Sequence, residues 1–444
     1  MTISAKYSPR PASAETRSFG NKLSSRAAIC GLMAGLAFTG APALATEGYF
    51  AHGYGTQSKG MAGVSLAYPK DSLAIANNPA SALVVGERAD FDVDYFRPNR
   101  SASITGNAFG PDESYSGNGR RNFYIPEAGY VHQVNKDWAV GIAVYGNGGM
   151  NTNYRTNPYA RFGATGEAGV DFQQLMVSPT VAYRVAEGQN IGVSAIIVDQ
   201  MFKATGIAAF GGFSANPGAV SDRGIDNELA FAVRVGWLGQ ITPWLTVGAS
   251  WQSKARAKSF GKYAGLFADQ GGFDVPSSYG VGVAVKASPS LDIAADVRRI
   301  AYSQVGSVGN DFQLLLAGKP LGSSGGPGFG WKSTTTYKIG VNYRLSAAWQ
   351  LRAGYAYTTS PIRPDQTFLN ILAPGVAAHH ITLGGTWTSP GGIEVSGYGL
   401  YAPTRTIHGA GSIPPGFPPS GFGGGEADIR MSELGFGIGV GKRF

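Results

Sequence analysis

The fold is decided by residues 48–86, which read GYFAHGYGTQSKGMAGVSLAYPKDSLAIANNPASALVVG. This stretch is rich in Gly, Ala and Ser and follows neither a helical nor a strand period. The chain after it reads as a long series of short alternating segments. A compact irregular stretch followed by an unbroken series of strands predicts a barrel with a plug in its lumen. A disordered tail is the alternative, but Leu73, Ile75 and Leu83–Val85 argue against it because disordered tails are poor in such residues.

The first 45 residues have the features of an export signal. Basic residues precede an apolar run at 27–41 that is too short to span a bilayer, and Ala43-Leu44-Ala45 is a cleavage site of the A-x-A type. We expect a signal peptide at residues 1–45, cleaved near Ala45, with an uncleaved anchor as the alternative. Cys30 is the only cysteine and lies inside this signal, so the mature chain would contain no disulfide.

The composition favours a membrane β-barrel over a soluble protein. Charged residues make up 14% of the chain, against about 25% in ordinary soluble domains. Aromatic residues make up 11%, and there are 66 glycines. No stretch after the signal is apolar for 18 residues, so no transmembrane helix is expected. Basic residues do not cluster with aromatic ones, which gives no indication of a nucleic-acid partner.

Alternation with a period of two runs through the rest of the chain. In residues 334–345, Tyr337, Ile339, Val341 and Tyr343 share one face, while smaller or polar residues share the other. Fourteen such segments begin near residues 89, 122, 138, 171, 190, 226, 244, 274, 291, 332, 349, 378, 392 and 427. Short turns between them alternate with long loops, which is typical of outer-membrane barrels. A soluble sandwich or lipocalin-like barrel is the poorer interpretation.

These patterns predict an all-β protein, a transmembrane antiparallel β-barrel of fourteen strands with an N-terminal hatch inside the lumen. The predicted regions are the signal peptide at 1–45, the hatch at 46–87 and the barrel at 88–444. The last segment ends with an alternating apolar face and a terminal aromatic, Phe444. Outer-membrane barrels present such an end to their insertion machinery, and we expect Phe444 to serve that purpose.

No pattern in the sequence indicates an enzyme, a metal site or a cofactor. Residues 322–326 match G-x-S-x-G, but they lie in a Gly/Ser/Pro loop and not in a strand–turn–helix elbow. His379 and His380 are adjacent on a predicted strand, so their side chains point to opposite faces and cannot bind one metal together.

One glycine-rich stretch is expected to break a strand. Gly146-Asn147-Gly148-Gly149 follows the apolar segment Ala139–Tyr145. Glycines there weaken strand pairing and allow a bulge or an inward kink. A plain loop start remains open as the alternative.

The chain resembles the FadL/TodX family of outer-membrane transporters for long-chain fatty acids and other hydrophobic compounds. The resemblance rests on Lys59-Gly60-Met61-Ala62-Gly63, Asp71 and Asn78-Pro79-Ala80 in the first region, then on motifs spread along the barrel. Those are Pro126–His132, Trp138–Gly141, Tyr145-Gly146, Trp331-Lys332, Trp349, Arg352–Tyr355 and Ser360-Pro361. Their order and spacing extend the likeness from about Gly48 to Phe444.

The resemblance implies a fourteen-stranded barrel closed by a hatch, with a kink in the third strand that opens a side passage. That kink would fall at Gly146, Gly148 and Gly149. Cargo in the family is captured at apolar outer loops, reaches a pocket against the hatch and leaves sideways into the bilayer without an energy source. Long-chain fatty acid is the expected cargo, and a monoaromatic hydrocarbon is the alternative. A general porin, a barrel lipase and an adhesin are more remote.

Residues expected to serve this transport come from several regions. Asn78, Pro79 and Ala80 would position the hatch. Tyr49 and Phe50 would fill the empty pocket, while Leu314, Leu315 and Leu316 would form a capture surface or the buried side of a loop helix. Basic residues near strands, Lys203, Lys332 and Lys338, are candidates for a carboxylate partner. We expect a monomer in the outer membrane of a Gram-negative cell, surrounded by lipid and lipopolysaccharide.

Overall fold

The computed structural model describes Met1, residues 47–418 and residues 420–444. By their contacts, Met1–Gly40 and Ala41–Phe444 form two separate units. The predicted signal peptide, its cleavage site and Cys30 lie outside the described residues, apart from Met1. No helix in the described part of the chain is long and apolar enough to cross a membrane.

Fourteen of the sixteen strands form a closed antiparallel barrel, as the alternation predicted. In chain order the sixteen strands are β1 Arg88–Thr105, β2 Glu113–Ser116, β3 Phe123–Gln133, β4 Trp138–Asn151, β5 Gly169–Ala186, β6 Gln189–Thr205, β7 Asp226–Thr242, β8 Leu245–Gln252, β9 Arg256–Ala257, β10 Ser278–Lys286, β11 Leu291–Ile300, β12 Thr334–Arg344, β13 Trp349–Thr358, β14 His379–Thr388, β15 Ile393–Ile407 and β16 Glu426–Arg443. Strands β2 and β9 are short additions that pair with β1 and β7. Thirteen barrel strands begin within two residues of the predicted start, and β10 begins four residues later.

Short helical turns lie in the N-terminal region and in the long loops. The α-helical turns are Thr56–Lys59, Ala82–Val85, Ala268–Gly271, Gly306–Gly309 and Thr367–Asn370. The 3-10 turns are Ser72–Ala76, Pro79–Ser81, Ala160–Phe162, Ala208–Phe213, Pro217–Ala219, Gly261–Tyr263, Tyr302–Gln304, Phe312–Leu315 and Pro364–Gln366. The short turns between strands lie at the end of the barrel where β1 begins and β16 ends, so that end faces the periplasm.

The first and last barrel strands close the wall along a seam of eighteen residue pairs, from Arg88 opposite Arg443 to Thr105 opposite Glu426. The outer face of β16 carries exposed Leu434, Phe436 and Ile438. Its inner face carries glycines. Because lipid-facing positions must be apolar, this alternation fixes which side of the strand faces the bilayer.

Three aspartates of β1 lie directly opposite three of those glycines. Asp94 faces Gly437, Asp92 faces Gly439 and Asp90 faces Gly441. A Cβ added to any of the three glycines would come within about 2.3 Å of the facing carboxylate oxygen. The glycines therefore provide the space that the buried aspartate side chains occupy.

Residues 47–87, which we call the N-terminal segment, pack against the inner face of the wall in the same way. Besides Gly439, ten inward glycines on nine of the described strands lie so close that an added Cβ would come within 3.0 Å of an atom of this segment. They are Gly129, Gly141, Gly192, Gly236, Gly248, Gly280, Gly282, Gly340, Gly354 and Gly384. The high glycine content thus lets the backbone of the wall approach the N-terminal segment directly.

We expect Gly439→Ala to destabilise the barrel by about 1–3 kcal/mol, the usual cost of overpacking. The new methyl group would collide with the Asp92 carboxylate at the seam. Gly435→Ala is the matched control, since it lies on the same strand and face and its Cβ would meet Leu400 at an ordinary 3.4 Å. The measurement is the temperature at which each folded barrel loses its heat-modifiable mobility in gels. Equal transition temperatures for the two variants would contradict this account of the seam.

Candidate functional site

The N-terminal segment begins with a tight turn that is held by one tyrosine. Glu47 N–H donates to the Phe50 carbonyl at 3.0 Å. The Tyr302 hydroxyl donates to the Glu47 carbonyl at 2.5 Å and accepts from the N–H groups of Tyr49 and Phe50 at 3.2 and 3.3 Å. Tyr49 and Phe50 are completely buried. Their rings pack against Tyr302 and, for Tyr49, against Phe172 and Trp331. Both residues therefore lie in the aromatic interior.

Strand β4 leaves its neighbour β3 at the glycine-rich stretch. Residues Ala128–Gln133 of β3 pair with Ala139–Val144 of β4. In the described structure the rest of β3, Phe123–Glu127, pairs with β1 and has no partner in β4. The pairing of β4 with β5 shifts register between Gly146 and Gly148. Gly148 has a φ of +143°, a conformation that L side chains rarely adopt. The glycine-rich stretch therefore interrupts the regular pairing of β4, an irregularity that we call the kink of β4, and it leaves a break in the wall between β3 and β4.

The N-terminal segment occupies this break. Ala51 N–H donates to the Asn147 carbonyl at 2.6 Å, and Phe50 forms a bridge with Gly148. The Tyr54 hydroxyl donates to the Asn147 side-chain oxygen at 2.5 Å, and the Asn147 amide donates to Gln174 at 2.7 Å. Asn147 thus joins the N-terminal segment to the kink and to β5. Sequence reasoning named only the glycines around it.

A small cavity of about 20 Å³, with room for about one water molecule, lies beside the kink. Its apolar lining comes from β1, β3, β16, the kinked end of β4 and two loops. The lining side chains are Phe96, Pro98, Phe123, Met150, Trp331, Ala373, Pro374 and Met431. Gly48 of the N-terminal segment and Gly149 of the kink complete the lining. The cavity therefore touches both the segment and the break in the wall.

One cation, Arg100, also lines this cavity. Only 3% of it is exposed, and its guanidinium lies 5.7 Å from the centre of the Phe123 ring. One of its terminal nitrogens donates to the Arg120 carbonyl, but its Nε has no hydrogen-bond partner among the described residues. None of the ion pairs between described residues includes Arg100. A buried guanidinium without a carboxylate partner is costly, so an anionic ligand group would be stabilised here.

The interior beyond the cavity is a continuous aromatic cluster. Phe172, Phe202, Phe260, Phe267 and Phe273 pack against one another with ring centres 4.6–6.4 Å apart. Phe210, Phe312, Phe368 and Phe422 form a similar group nearer the outer loops. These aromatic side chains make the interior suited to apolar molecules.

Buried ionic contacts hold the middle of the N-terminal segment against β1 and β3. Lys59 pairs with Asp94, and with Glu127 at 2.8 Å. Burial by itself lowers the pKa of Lys59, but the two carboxylates outweigh it and raise that pKa above its ordinary value. The N–H groups of Gly55 and Thr56 donate to Glu127 at 3.0 Å and to Asp92 at 2.6 Å. These contacts fix the segment in place and leave no free cation there for a ligand.

The Asn78-Pro79-Ala80 motif joins the N-terminal segment to the wall at β7. Asn78 donates to the carbonyls of Leu66 and Trp237 at 2.9 and 3.0 Å and accepts from Ala80 N–H at 3.1 Å. Pro79 begins the 3-10 turn Pro79–Ser81. These contacts suit a positioning role.

The three lysines singled out from the sequence lie apart from one another and from the cavity lining. Lys203 alternates with buried Phe202 and Ala204, so it lies on the outer face of β6. Lys332 is exposed in a loop. Lys338 faces inward, where it pairs with Glu47 at 2.6 Å and donates to the His52 carbonyl. The positions of Lys203 and Lys338 follow from strand parity, which sequence alone left unassigned for β6, while Lys332 lies outside the strands.

Leu314 and Leu315 belong to the 3-10 turn Phe312–Leu315, and Leu316 ends it. Phe312 is buried, Leu315 packs against the aromatic cluster, and Leu316 is 46% exposed. The leucines therefore form a short loop helix with one apolar side against the interior and one leucine available at the surface.

Comparisons with known proteins match the sequence to a family and the fold to solved structures. A family model described as outer membrane protein transport protein (OMPP1/FadL/TodX) matches residues 33–395. No curated protein matches the sequence significantly. The toluene transporter TodX of P. putida is 16% identical, with a TM-score of 0.63 over 88% of this chain and 99% of that one. A FadL homologue of Pseudomonas aeruginosa is 16% identical, with a TM-score of 0.64 over 89% and 98%. The toluene transporter TbuX of Ralstonia pickettii is 18% identical, with a TM-score of 0.61 over 88% and 99%. At these identities the structural matches establish the fold.

We expect Lys59→Met to loosen the N-terminal segment, because it leaves two buried carboxylates unpaired. Breaking a buried pair in this way costs about 3–5 kcal/mol. Arg120→Met is the matched control, since the Arg120–Asp171 pair is half exposed and such pairs contribute about 0–1 kcal/mol. Limited proteolysis of the folded barrel should cleave residues 47–87 faster in Lys59→Met alone. Equal cleavage rates would contradict the anchoring role of Lys59.

Proposed function

The chain belongs to the outer membrane protein transport family (OMPP1/FadL/TodX), and from that premise we propose that it passes hydrophobic molecules sideways through the break between β3 and β4. As a family member it is an outer-membrane transporter of hydrophobic compounds. The observation that carries the proposal is the kink of β4, which is filled by Phe50 and Ala51 next to an apolar cavity. In this proposal the N-terminal segment is a hatch that closes the lumen toward the periplasm.

A lateral exit follows from the energetics of apolar cargo. Each methylene group kept from water contributes about 0.8 kcal/mol. A path that leads from the aromatic interior through the wall into the bilayer avoids exposing the cargo to an aqueous lumen. Transport along such a path is passive, since the cargo moves only between apolar environments.

We favour long-chain fatty acid as the cargo, with Arg100 as the partner of its carboxylate. Arg100 is a buried cation at the edge of the apolar cavity and forms no ion pair with a described residue. A fatty acid matches both features, since its chain suits the apolar lining and its carboxylate suits the guanidinium. Lys203, Lys332 and Lys338 are left out of this site because of where they lie.

A monoaromatic hydrocarbon is the second candidate. It is favoured by the aromatic walls, where Phe96, Phe123 and Trp331 line the cavity. The similar TodX and TbuX structures are described as toluene transporters.

Three further proposals concern the surroundings of the barrel. We propose that it acts as a monomer, that its outer face contacts lipid and lipopolysaccharide, and that Phe444 is read by the barrel-insertion machinery. The proposal for Phe444 is supported by its position directly after the last strand, where its N–H donates to the Glu87 carbonyl at 3.0 Å.

Gly149→Trp should block transport, because its side chain would occupy the cavity beside the break in the wall. We expect uptake of labelled oleate or toluene to fall at least tenfold in a host that lacks its own transporter. Gly212→Trp is the control, since a Cβ at that exposed loop glycine would meet nothing within 4 Å. Surface display of both variants is checked by antibody labelling. Normal uptake by a displayed Gly149→Trp barrel would rule out a lateral exit at the kink.

Arg100→Met should separate the two cargo classes. Hydrogen bonds to charged groups contribute about 1.5–3 kcal/mol, so oleate uptake at low concentration should fall about tenfold or more while toluene uptake is kept. The control is Arg97→Met, which removes an exposed arginine from the outer face of the same strand. Unchanged oleate uptake in Arg100→Met would exclude Arg100 as the carboxylate partner. Wild-type uptake of toluene without oleate would assign the hydrocarbon as cargo.

A further inference from the structure

Three buried titratable side chains meet where the N-terminal segment crosses the lumen. His52 belongs to that segment, His380 to β14 and Glu433 to β16, and each is at most 1% exposed. The two imidazole rings lie with their centres 6.4 Å apart and their planes within 3° of parallel. His380 Nε2 lies 3.4 Å from a Glu433 oxygen. The neighbouring His379 is exposed on the outer face of β14, bound to the Tyr355 hydroxyl at 2.7 Å.

The polar atoms of this cluster are poorly satisfied. Among the described residues, none of the four ring nitrogens and neither Glu433 oxygen has a hydrogen-bond partner of normal geometry. Buried polar groups almost always have such partners, so a whole cluster without them calls for an explanation. Transport as proposed above uses none of the three side chains.

The charges that face His52 are mostly positive. They come from Lys59 within the N-terminal segment, Lys338 on β12 and His380 on β14. Tyr398 on β15 contributes a neutral ring 6.1 Å away. Glu47 binds Lys338, and Asp94 and Glu127 bind Lys59, so these three carboxylates are already engaged, while Glu433 lies beside His380. A proton added to His52 therefore meets repulsion from Lys59, Lys338 and His380.

His52 is directly connected to the contacts that fill the break in the wall. It follows Ala51, whose N–H binds the Asn147 carbonyl, and Phe50, which bridges Gly148. Its own carbonyl accepts from Lys338. A displacement of the His52 side chain from the lumen would pull these two residues away from the kink.

We propose that His52, His380 and Glu433 form a pH-sensitive lock on the N-terminal segment, so that acidification releases residues Phe50–His52 from the kinked part of β4. Release would open the break between β3 and β4. Only this last consequence for transport rests on the proposed lateral exit, since release of the segment can be measured by itself.

The direction of the pH effect follows from His52, the histidine of the N-terminal segment. Burial, and then the charges of Lys59, His380 and Lys338, hold the pKa of His52 well below its ordinary value of 6.5 in the seated segment. In a released segment the pKa returns toward 6.5. Below pH 6.5 the released state therefore binds a proton that the seated state does not, and falling pH favours release. Above that pH both states are neutral at His52 and seating is complete.

Hydrogen exchange of the folded full-length protein tests the lock. The readout is the protection of the Ala51 amide, corrected for the intrinsic effect of pH, with amides of β6 as an internal reference. Between pH 6.5 and 5.5 we expect protection to fall up to about tenfold, the limit for one linked proton. His379→Gln, which changes the adjacent exposed histidine, should keep this dependence.

His52→Gln should abolish the pH dependence, because the amide does not titrate. If that variant fails to fold, His380→Gln provides the second test, since it removes one of the charges that oppose protonation and should flatten the profile. The lock would be overturned if protection of the Ala51 amide in the wild type did not change with pH. It would also be overturned if the pH profile in His52→Gln or in His380→Gln matched that of the wild type. Release with pH but without any change in uptake would keep the lock and refute the lateral exit instead.

Discussion

The seam between β1 and β16 is the contact on which the other parts of the interior depend. Closing it places Asp90, Asp92 and Asp94 opposite glycines, which leaves room for three carboxylates side by side on that wall. Those carboxylates then bind Ser72, Thr56 and Lys59 of the N-terminal segment. Backbone pairing in the wall and anchoring in the lumen are thus one arrangement, built from alternating residues of two strands.

The same requirement for complete backbone pairing explains why the kink of β4 is exceptional. Inside a bilayer an unpaired strand edge is costly, because no water is present to satisfy its N–H and C=O groups. Here Phe50 and Ala51 supply partners for Asn147 and Gly148 at the place where β3 no longer does. The residues that pair with the kinked part of β4 therefore belong to the N-terminal segment. Movement of Phe50 and Ala51 would leave the backbone groups of Asn147 and Gly148 without these partners.

Much of this could be read from the sequence, and the failures have clear causes. Alternation located the strands because lipid fixes one face of each as apolar, and Gly146, Gly148 and Gly149 indicated the kink. Applied to β1, the same alternation could have identified Arg100, since it shares the parity of Asp90, Asp92 and Asp94. Lys203 was selected for its charge, although it shares the parity of the outward Ile197. The cavity lining from Trp331, Ala373 and Pro374 could not have been predicted, because it depends on how two long loops fold over the barrel.

The glycine-lined seat of the N-terminal segment also bears on how the protein is assembled. One side of the segment binds β1 and β3, which follow it directly in the chain, while the other side needs β12, β13 and β14, which come more than two hundred residues later. A half-built sheet offers only the first set of contacts. Full seating therefore requires that the late strands have arrived. The position of the N-terminal segment inside the barrel therefore depends on strands from both ends of the wall.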